Sequence, residues 1–142
     1  MESAANQSSR GYDSLAPIYH ALETCLFGCA LQRARTALLG RLPASERTLF
    51  LGDGDGRLLQ QFCVTQPQCS VTSVDQSAVM LSLQNRRLQC VSANERVDLK
   101  CQNAITYRPP PRQFDLLIAA FFFDCFTKHQ LELLLPTWLG SL

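Results

Sequence analysis

Glycine alternates with aspartate in one short loop, in the order Gly52, Asp53, Gly54, Asp55 and Gly56. Because glycine lacks a Cβ atom, such a loop can turn sharply and let a ligand approach its backbone. An apolar run precedes the loop and an amphipathic segment follows it, an order typical of the corner that cradles a nucleotide in α/β proteins. The pattern also fits a tight strand-to-helix turn without a ligand, in which Asp55 caps the helix.

The charge of this loop favours one class of nucleotide. A dinucleotide places its anionic pyrophosphate against such a turn, where Asp53 and Asp55 would repel it. S-adenosylmethionine (SAM) has no phosphate, and its sulfonium and ammonium groups suit an acidic loop. The spacing agrees, because the dinucleotide fingerprint requires glycine at the sixth position from Gly52, where Arg57 stands. The loop therefore favours SAM, with an NAD-type dinucleotide-binding domain as an alternative.

Composition limits the classes of protein to which the chain can belong. Its 142 residues are 46% hydrophobic, enough for one domain with a sizeable core. The 13 basic and 12 acidic residues form no basic patch, so we expect no nucleic-acid partner. The sequence shows no membrane-spanning stretch and no apolar signal-peptide core, and we predict a cytoplasmic location.

The seven cysteines and two histidines show no spacing typical of a zinc site. Their number is odd, no Cys-x-x-Cys pair occurs, and most of the cysteines lie among apolar neighbours. We therefore predict small buried cysteine side chains in a reducing compartment, and no metal.

Strands alternate with helices along the chain, which implies a parallel sheet with right-handed crossovers. Strands are predicted at Thr48–Leu51, Ser70–Val74, Val97–Cys101 and Phe114–Ala120, the last buried on both faces. Helices are predicted at residues 14–41, at Arg57–Cys63, after a Ser77 cap, and after a Thr127–Gln130 capping box, with Pro136 interrupting the last. Residues 1–11 are predicted to be a flexible tail, and residues 12–142 one domain. The expected fold is α/β, a Rossmann-like doubly wound parallel sheet.

In such a sheet the ligand crevice lies at the carboxyl ends of the strands. Four loops should meet there, at Gly52–Gly56, Asp75, Asn103 and Phe121–Asp124. The Asp75 carboxylate can accept hydrogen bonds from both ribose hydroxyls, or it caps the next helix. The Asn103 amide can pair with adenine, or it makes only local bonds in its turn.

Further residues at this edge are candidates for cofactor binding and chemistry. We place Gln76 and Val79 beside the adenine. Of the three phenylalanines that end the fourth strand, Phe121 is the candidate for attracting the sulfonium cation, although core packing accounts for at least two of the three. Asp124 and His129 are the candidates for a general base. Methyl transfer to a good nucleophile needs only alignment of the acceptor with the methyl–sulfur bond.

These residues resemble the motifs of class I SAM-dependent methyltransferases. The matching stretches are LFLGDGDG, VTSVD, CQNA and FDLLIAAFFFD. The resemblance implies that the three glycines line SAM, that Asp75 holds the ribose and that Asn103 meets the adenine. Together with the candidates above, the predicted SAM contacts are Gly52, Asp53, Gly54, Gly56, Asp75, Gln76, Asn103, Ala104 and Phe121. The implied reaction is methyl transfer to a small-molecule acceptor.

The N-terminal segment Tyr12–Tyr19 is similar to the opening of ubiquinone/menaquinone-type methyltransferases. The similarity implies helices that cover the cofactor, with Tyr12 and Tyr19 closing the site. Phe50 stands where the family usually has an acidic residue, and Asn103 stands where it often has aspartate. These departures keep open a second hypothesis, a catalytically inactive methyltransferase-like binding or regulatory module.

The family's sheet has seven strands, and this sequence supplies four. We therefore expect the 142 residues to be a fragment or a truncated form of a longer enzyme. In the family's strand order, the fourth strand would have a bare apolar edge, which invites pairing with another chain. Self-association through that edge is predicted.

Overall fold

A computed structural model describes residues 33–142 of the chain. The predicted tail, the Tyr12–Tyr19 segment and the predicted helix up to residue 32 lie outside the described residues. Residues 33–36 are helical, and Leu39–Arg41 then forms a 3-10 turn rather than the end of one continuous helix. None of the helices within residues 33–142 has the length and apolarity needed to cross a lipid bilayer.

Four parallel strands form one sheet, in the order β3-β2-β1-β4. The strands are β1 (Arg47–Leu51), β2 (Ser70–Asp75), β3 (Val97–Cys101) and β4 (Leu116–Ile118). The helices that follow are α1 (Arg57–Thr65), α2 (Ala78–Cys90) and α3 (Lys128–Leu139). The chain starts in the middle of the sheet, moves outward through β2 and β3, and returns to the other side of β1. The predicted Rossmann-like doubly wound sheet is confirmed, and residues 33–142 supply four of the seven strands of the full family fold.

Strand β1 is buried on both faces because its side chains alternate between two hydrophobic clusters. Phe50 faces helix α1, where its ring meets the Phe62 ring edge-on at a centroid distance of 5.2 Å. Leu49 and Leu51 face the opposite cluster, which contains Trp138 of helix α3. The position that is usually acidic in the family is therefore a core position in this chain.

Strand β4 is shorter and less buried than the sequence predicted. The prediction was Phe114–Ala120 with both faces buried, but the strand is Leu116–Ile118 and its residues are half-buried. Within the described part of the chain β4 pairs only with β1, so it lies at the edge of the sheet. Phe114 is buried but outside the strand, and its N–H donates to the Ser141 carbonyl at 2.9 Å.

Helix α3 begins with the predicted capping box. The Thr127 hydroxyl accepts from the Gln130 N–H at 3.3 Å, and the Gln130 side-chain oxygen accepts from the Thr127 N–H at 2.9 Å. The prediction that Pro136 interrupts the helix is wrong, because α3 continues through it to Leu139. Proline removes the hydrogen bond to the carbonyl of Glu132 and crowds that carbonyl. Glu132 is an exposed residue, where water can satisfy the carbonyl.

The Thr127 cap provides a stability prediction. We expect Thr127→Ala to lower the free energy of unfolding by about 1 kcal/mol, because it removes the hydroxyl that accepts from the Gln130 N–H and leaves only the backbone bond of the capping box. Ser82→Ala is the control, since it removes an exposed hydroxyl from the interior of α2 and is expected to change stability by less than about 0.5 kcal/mol. Urea unfolding of both variants measures the difference, and equal stabilities would contradict the role of the cap.

The cysteines depart in part from the prediction of small buried side chains. Cys63 and Cys69 are buried, but Cys90, Cys101 and Cys125 are exposed. Each exposed cysteine lies at the end of an element, where the chain leaves the core. Cys25 and Cys29 lie outside the described residues. Across residues 33–142, no group of three or more metal-binding side chains is placed to hold an ion.

Candidate functional site

The glycine loop leaves β1 with a backbone that favours glycine. Gly52 has a φ of +63° and Gly56 a φ of +83°, in the left-handed region that L-residues rarely adopt. A Cβ atom on Gly52 would overlap the ring of Phe122, and one on Gly56 would lie 2.9 Å from the Cα of Gln84. The loop is therefore pressed between the segment after β4 on one side and helix α2 on the other.

Asp75 joins three of the four predicted loops. Its Oδ2 accepts from the Gly54 N–H at 3.3 Å, and its Oδ1 accepts from the Ser77 N–H at 2.9 Å. Its backbone carbonyl accepts from the Gln102 N–H at 3.0 Å, beyond the end of β3. The carboxylate thus supports the helix α2 cap and at the same time lies against the glycine loop. A carboxylate oxygen can accept more than one hydrogen bond, so these contacts are compatible with a ligand hydroxyl.

The two aspartates of the loop have different surroundings. Asp55 is buried, and its Oδ2 lies 2.9 Å from Arg57 Nε and 3.0 Å from an Arg87 terminal nitrogen. Arg87 Nε also donates to the Asp55 carbonyl at 2.9 Å. The prediction that both carboxylates repel an anionic ligand therefore needs correction, because two guanidinium groups balance the charge of Asp55. Arg57, the residue at the sixth position of the motif, is one of them.

The Asp53 carboxyl group of the loop has a strongly raised pKa. Its Oδ2 accepts from the Leu59 N–H in the first turn of α1 at 3.1 Å. Burial raises the pKa of this carboxyl from 3.8 to about 7. The neighbouring carboxylates of Asp55 and Asp75 also raise this pKa, whereas the Leu59 N–H and the Arg35 guanidinium lower it.

The raised pKa of Asp53 predicts a pH dependence of stability. The folded chain keeps the proton up to about pH 7 and the unfolded chain loses it near pH 4, so stability falls as the pH rises between these values. Asp53→Asn cannot ionise but keeps an oxygen for the Leu59 N–H. We expect it to gain roughly 1–2 kcal/mol relative to the unsubstituted chain between about pH 5 and about pH 8. Asp98→Asn, at an exposed position, should show no such gain. The prediction would be contradicted if stability depended on pH in the same way in Asp53→Asn and in the unsubstituted chain.

Asn103 and Ala104 lie in the turn after β3. The Asn103 side-chain oxygen accepts from the Ile105 N–H at 2.9 Å, and its carbonyl accepts from the Tyr107 N–H at 2.9 Å. Asn103 therefore makes the local hydrogen bonds that the sequence offered as an alternative to a contact with adenine. The Asn103 side chain is exposed. The Ala104 methyl group is buried in the cluster around Trp138.

Gln76 and Val79 follow Asp75 at the same edge of the sheet. Gln76 is half-buried, and its carbonyl lies 3.7 Å from the Cys101 sulfur at the end of β3. Val79 is an exposed side chain near the start of α2. Both positions border the loop that carries Asp75.

The three phenylalanines after β4 have three different surroundings. Phe121 is 49% exposed with a φ of +55°, and the Arg35 guanidinium lies 5.5 Å from its ring centroid. Phe122 covers Gly52, and Phe123 stacks on Trp138 at a centroid distance of 6.1 Å. Core packing thus accounts for Phe122 and Phe123, and Phe121 is the one that faces solvent.

The candidate bases, Asp124 and His129, are both exposed. Asp124 lies in the 3-10 turn Phe123–Cys125, and His129 is the second residue of α3. Within residues 33–142, neither side chain forms a hydrogen bond or an ion pair with the glycine loop or with Asp75.

Sequence reasoning missed Gln84 of helix α2. This side chain is fully buried, its amide nitrogen donates to the Gly54 carbonyl at 2.8 Å, and its oxygen accepts from the Ser73 hydroxyl at 2.8 Å. Met80, Gln84 and Leu88 recur at four-residue spacing on the buried face of α2. A polar residue within an apolar stripe was the available signal, because a buried amide requires hydrogen-bond partners.

Comparison with protein families gives a match to a methyltransferase domain over residues 49–142, which is more than half of the chain. A comparison with curated protein sequences gives no significant match.

Solved structures share the fold. A SAM-dependent methyltransferase from Thiobacillus denitrificans, in complex with S-adenosyl-L-homocysteine, is 22% identical, with 75% of this chain and 42% of that chain covered and a TM-score of 0.57. A putative SAM-dependent methyltransferase from Methanococcus maripaludis is 13% identical, with coverages of 89% and 57% and a TM-score of 0.71. The cyclase SpnF is 19% identical, with coverages of 78% and 47% and a TM-score of 0.65.

This chain spans less than half the length of the Thiobacillus methyltransferase and of SpnF. At these identities the likeness shows the fold alone. The family match rests on the sequence from β1 onward, which contains the glycine loop, Asp75 and the turn after β3. The chain therefore belongs to the class I SAM-dependent methyltransferase family.

Proposed function

We propose that this chain binds SAM and forms the cofactor-binding part of a methyltransferase that acts on a small-molecule acceptor. The observation that carries the proposal is the Asp75 carboxylate, which accepts from the Gly54 N–H at 3.3 Å. This contact places an acceptor for ribose hydroxyls beside a glycine loop at the carboxyl edge of a parallel sheet. The family match over residues 49–142 supports the same reading.

The residues of the loop fit a cationic cofactor. A Cβ atom on Gly54 would meet no atom within 4 Å, so the space on that side of its Cα atom is open to a ligand. Asp55 is paired with Arg57 and Arg87, which leaves Asp53 as the loop carboxyl group that a bound positive charge would favour in its ionised form. SAM, when bound, supplies the sulfonium and the methyl group that is transferred.

We assign roles to the remaining candidates on the same basis. The Asn103 oxygen accepts from the Ile105 N–H, so we propose that Asn103 acts on the adenine through its amide NH2 group. Ala104 would contribute its backbone, because its methyl group is in the core. Asp124 and His129 are proposed as bases on account of their exposure next to the carboxyl edge of the sheet.

Binding of SAM is tested directly by titration calorimetry of the 142-residue chain. We expect SAM and S-adenosylhomocysteine to bind at one site and to raise the unfolding temperature, because a ligand of the native state stabilises it. NADH is the comparison ligand, and stabilisation by NADH in place of SAM would favour a dinucleotide-binding domain. A folded sample that binds neither SAM nor S-adenosylhomocysteine would overturn the proposal.

A second candidate is a methyltransferase-like binding or regulatory module without catalysis. It is favoured by Phe50, which fills the core where the family usually has an acidic residue. The likeness to the cyclase SpnF is compatible with this candidate, since a shared fold does not determine a reaction. Conversion of SAM to S-adenosylhomocysteine by the chain in the presence of candidate acceptors would exclude this alternative.

We further propose that the chain works in the cytoplasm. We also propose that it associates with a second copy through the edge of β4. The half-buried residues of β4, which pairs only with β1 in residues 33–142, support the association. Light scattering over a range of concentrations tests it, and a strictly monomeric chain would contradict it.

A further inference from the structure

Helix α2 holds the glycine loop through two side chains that lie one turn apart. The Gln84 amide nitrogen donates to the Gly54 carbonyl at 2.8 Å. Arg87 Nε donates to the Asp55 carbonyl at 2.9 Å. These carbonyls belong to consecutive residues, so α2 constrains the path of the loop at its centre.

Gln84 is itself held in one orientation. It has no exposed surface, and its side-chain oxygen accepts from the Ser73 hydroxyl of β2 at 2.8 Å. The close approach of Gly56 to the Cα and side chain of Gln84 leaves little space for the amide to move. A buried amide bonded at both ends can transmit its position to its partners, because leaving either end without a partner is unfavourable.

The residue that Gln84 holds also contacts the proposed ribose-binding carboxylate. Gly54 accepts from Gln84 through its carbonyl and donates to Asp75 through its N–H, at 3.3 Å. A continuous chain of hydrogen bonds therefore runs from Ser73 through Gln84 and Gly54 to Asp75.

We propose that Gln84 is a positioning residue for the cofactor, which fixes Gly54 and, through its N–H, the Asp75 carboxylate. The inference rests on the proposed SAM-binding function of this site. Gln84 acts through Gly54 and does not itself touch the cofactor. It should influence the affinity for SAM as well as the stability of the core.

The test compares Gln84→Met with Gln60→Met. The Gln60 side-chain amide of α1 also donates to a backbone carbonyl of α2, that of Arg87 at 3.2 Å. Its one bond to the glycine loop is from its backbone N–H to the Gly56 carbonyl at 2.9 Å, which the substitution keeps. Titration calorimetry below the unfolding temperature of each variant should give a dissociation constant for SAM at least tenfold higher for Gln84→Met. The dissociation constant for Gln60→Met should stay within about twofold of the unsubstituted chain.

A double-mutant cycle with Asp75→Asn separates positioning from general stabilisation. If Gln84 acts through Asp75, the two substitutions together should raise the dissociation constant for SAM much less than the product of their separate fold-changes. A residue that only stabilised the core would shift the unfolding temperature and leave this coupling near zero. Additive effects on SAM affinity would overturn the inference.

Ser73→Ala provides a second variant in case Gln84→Met does not fold. It removes the hydroxyl that holds Gln84 and leaves the glutamine in place, and we expect about a threefold loss of SAM affinity. If the unsubstituted chain binds SAM and neither variant weakens binding, the role of Gln84 is contradicted and the proposed function stands. If the folded, unsubstituted chain binds no SAM, the proposed function fails and the inference fails with it.

Discussion

Gly56→Ala is expected to lower the free energy of unfolding by about 3 kcal/mol, because two unfavourable effects add. The φ of +83° at Gly56 lies in the left-handed region, which costs an L-residue about 1–2 kcal/mol. The new methyl group would also lie 2.9 Å from the Cα of Gln84. Backbone atoms cannot move aside as a flexible side chain can, and overpacking of this kind costs about 1–3 kcal/mol.

Gly54→Ala is the matched control for this prediction. Gly54 has a similar φ of +65°, but a methyl group there would meet no atom within 4 Å. The control variant should therefore lose only the backbone contribution, about 1–2 kcal/mol. Urea unfolding at a common pH measures both changes. Equal losses for the two variants would show that the loop is not pressed against α2.

Asp75→Ala is expected to weaken SAM binding by about 10–100-fold, equivalent to about 1–3 kcal/mol. The substitution removes the proposed acceptor for both ribose hydroxyls and the acceptor for the Gly54 N–H. The bond from the Ser77 N–H to the Asp75 carboxylate is also lost, so a loss of stability of about 1 kcal/mol should accompany the effect on binding. Titration calorimetry at a temperature where the variant is folded separates the two effects.

Asp98→Ala is the control for the binding measurement. Asp98 lies on the neighbouring strand β3, is exposed, and pairs with Lys100 at 2.8 Å. Removing this carboxylate changes the net charge equally and should leave the dissociation constant for SAM within about twofold, since exposed ion pairs contribute little. An unchanged affinity in Asp75→Ala would remove Asp75 from the proposed site.

The three strands predicted most accurately are those whose limits are encoded locally. Strand β3 was predicted at its observed bounds, and β1 and β2 each differ by one residue. Their apolar runs end at glycine or at polar residues, and such signals lie within a few residues of the strand. The capping box of α3 is equally local, because its two members are three residues apart.

The predictions that failed depend on distant parts of the chain. The extent of β4 is set by its pairing with β1, and this pairing ends at Ile118. The residues after Ile118 are apolar but lie outside the strand. The continuation of α3 past Pro136 follows from its packing, in which Trp138 is fully buried. Local propensity is a weak guide wherever tertiary contacts of this kind compensate for it.

The sequence by itself determined the order of strands and helices, the glycine loop and the position of Asp75 at a strand end. These features follow from periodicity and from turn residues, which act over short distances along the chain. Only the tertiary structure decided which carboxylate of the loop is paired with cationic side chains. Asp55 is neutralised in part by Arg87, 32 residues away, and Gly54 is held by Gln84, 30 residues away. No local pattern specifies such pairs, because they form only when α2 folds back against the loop.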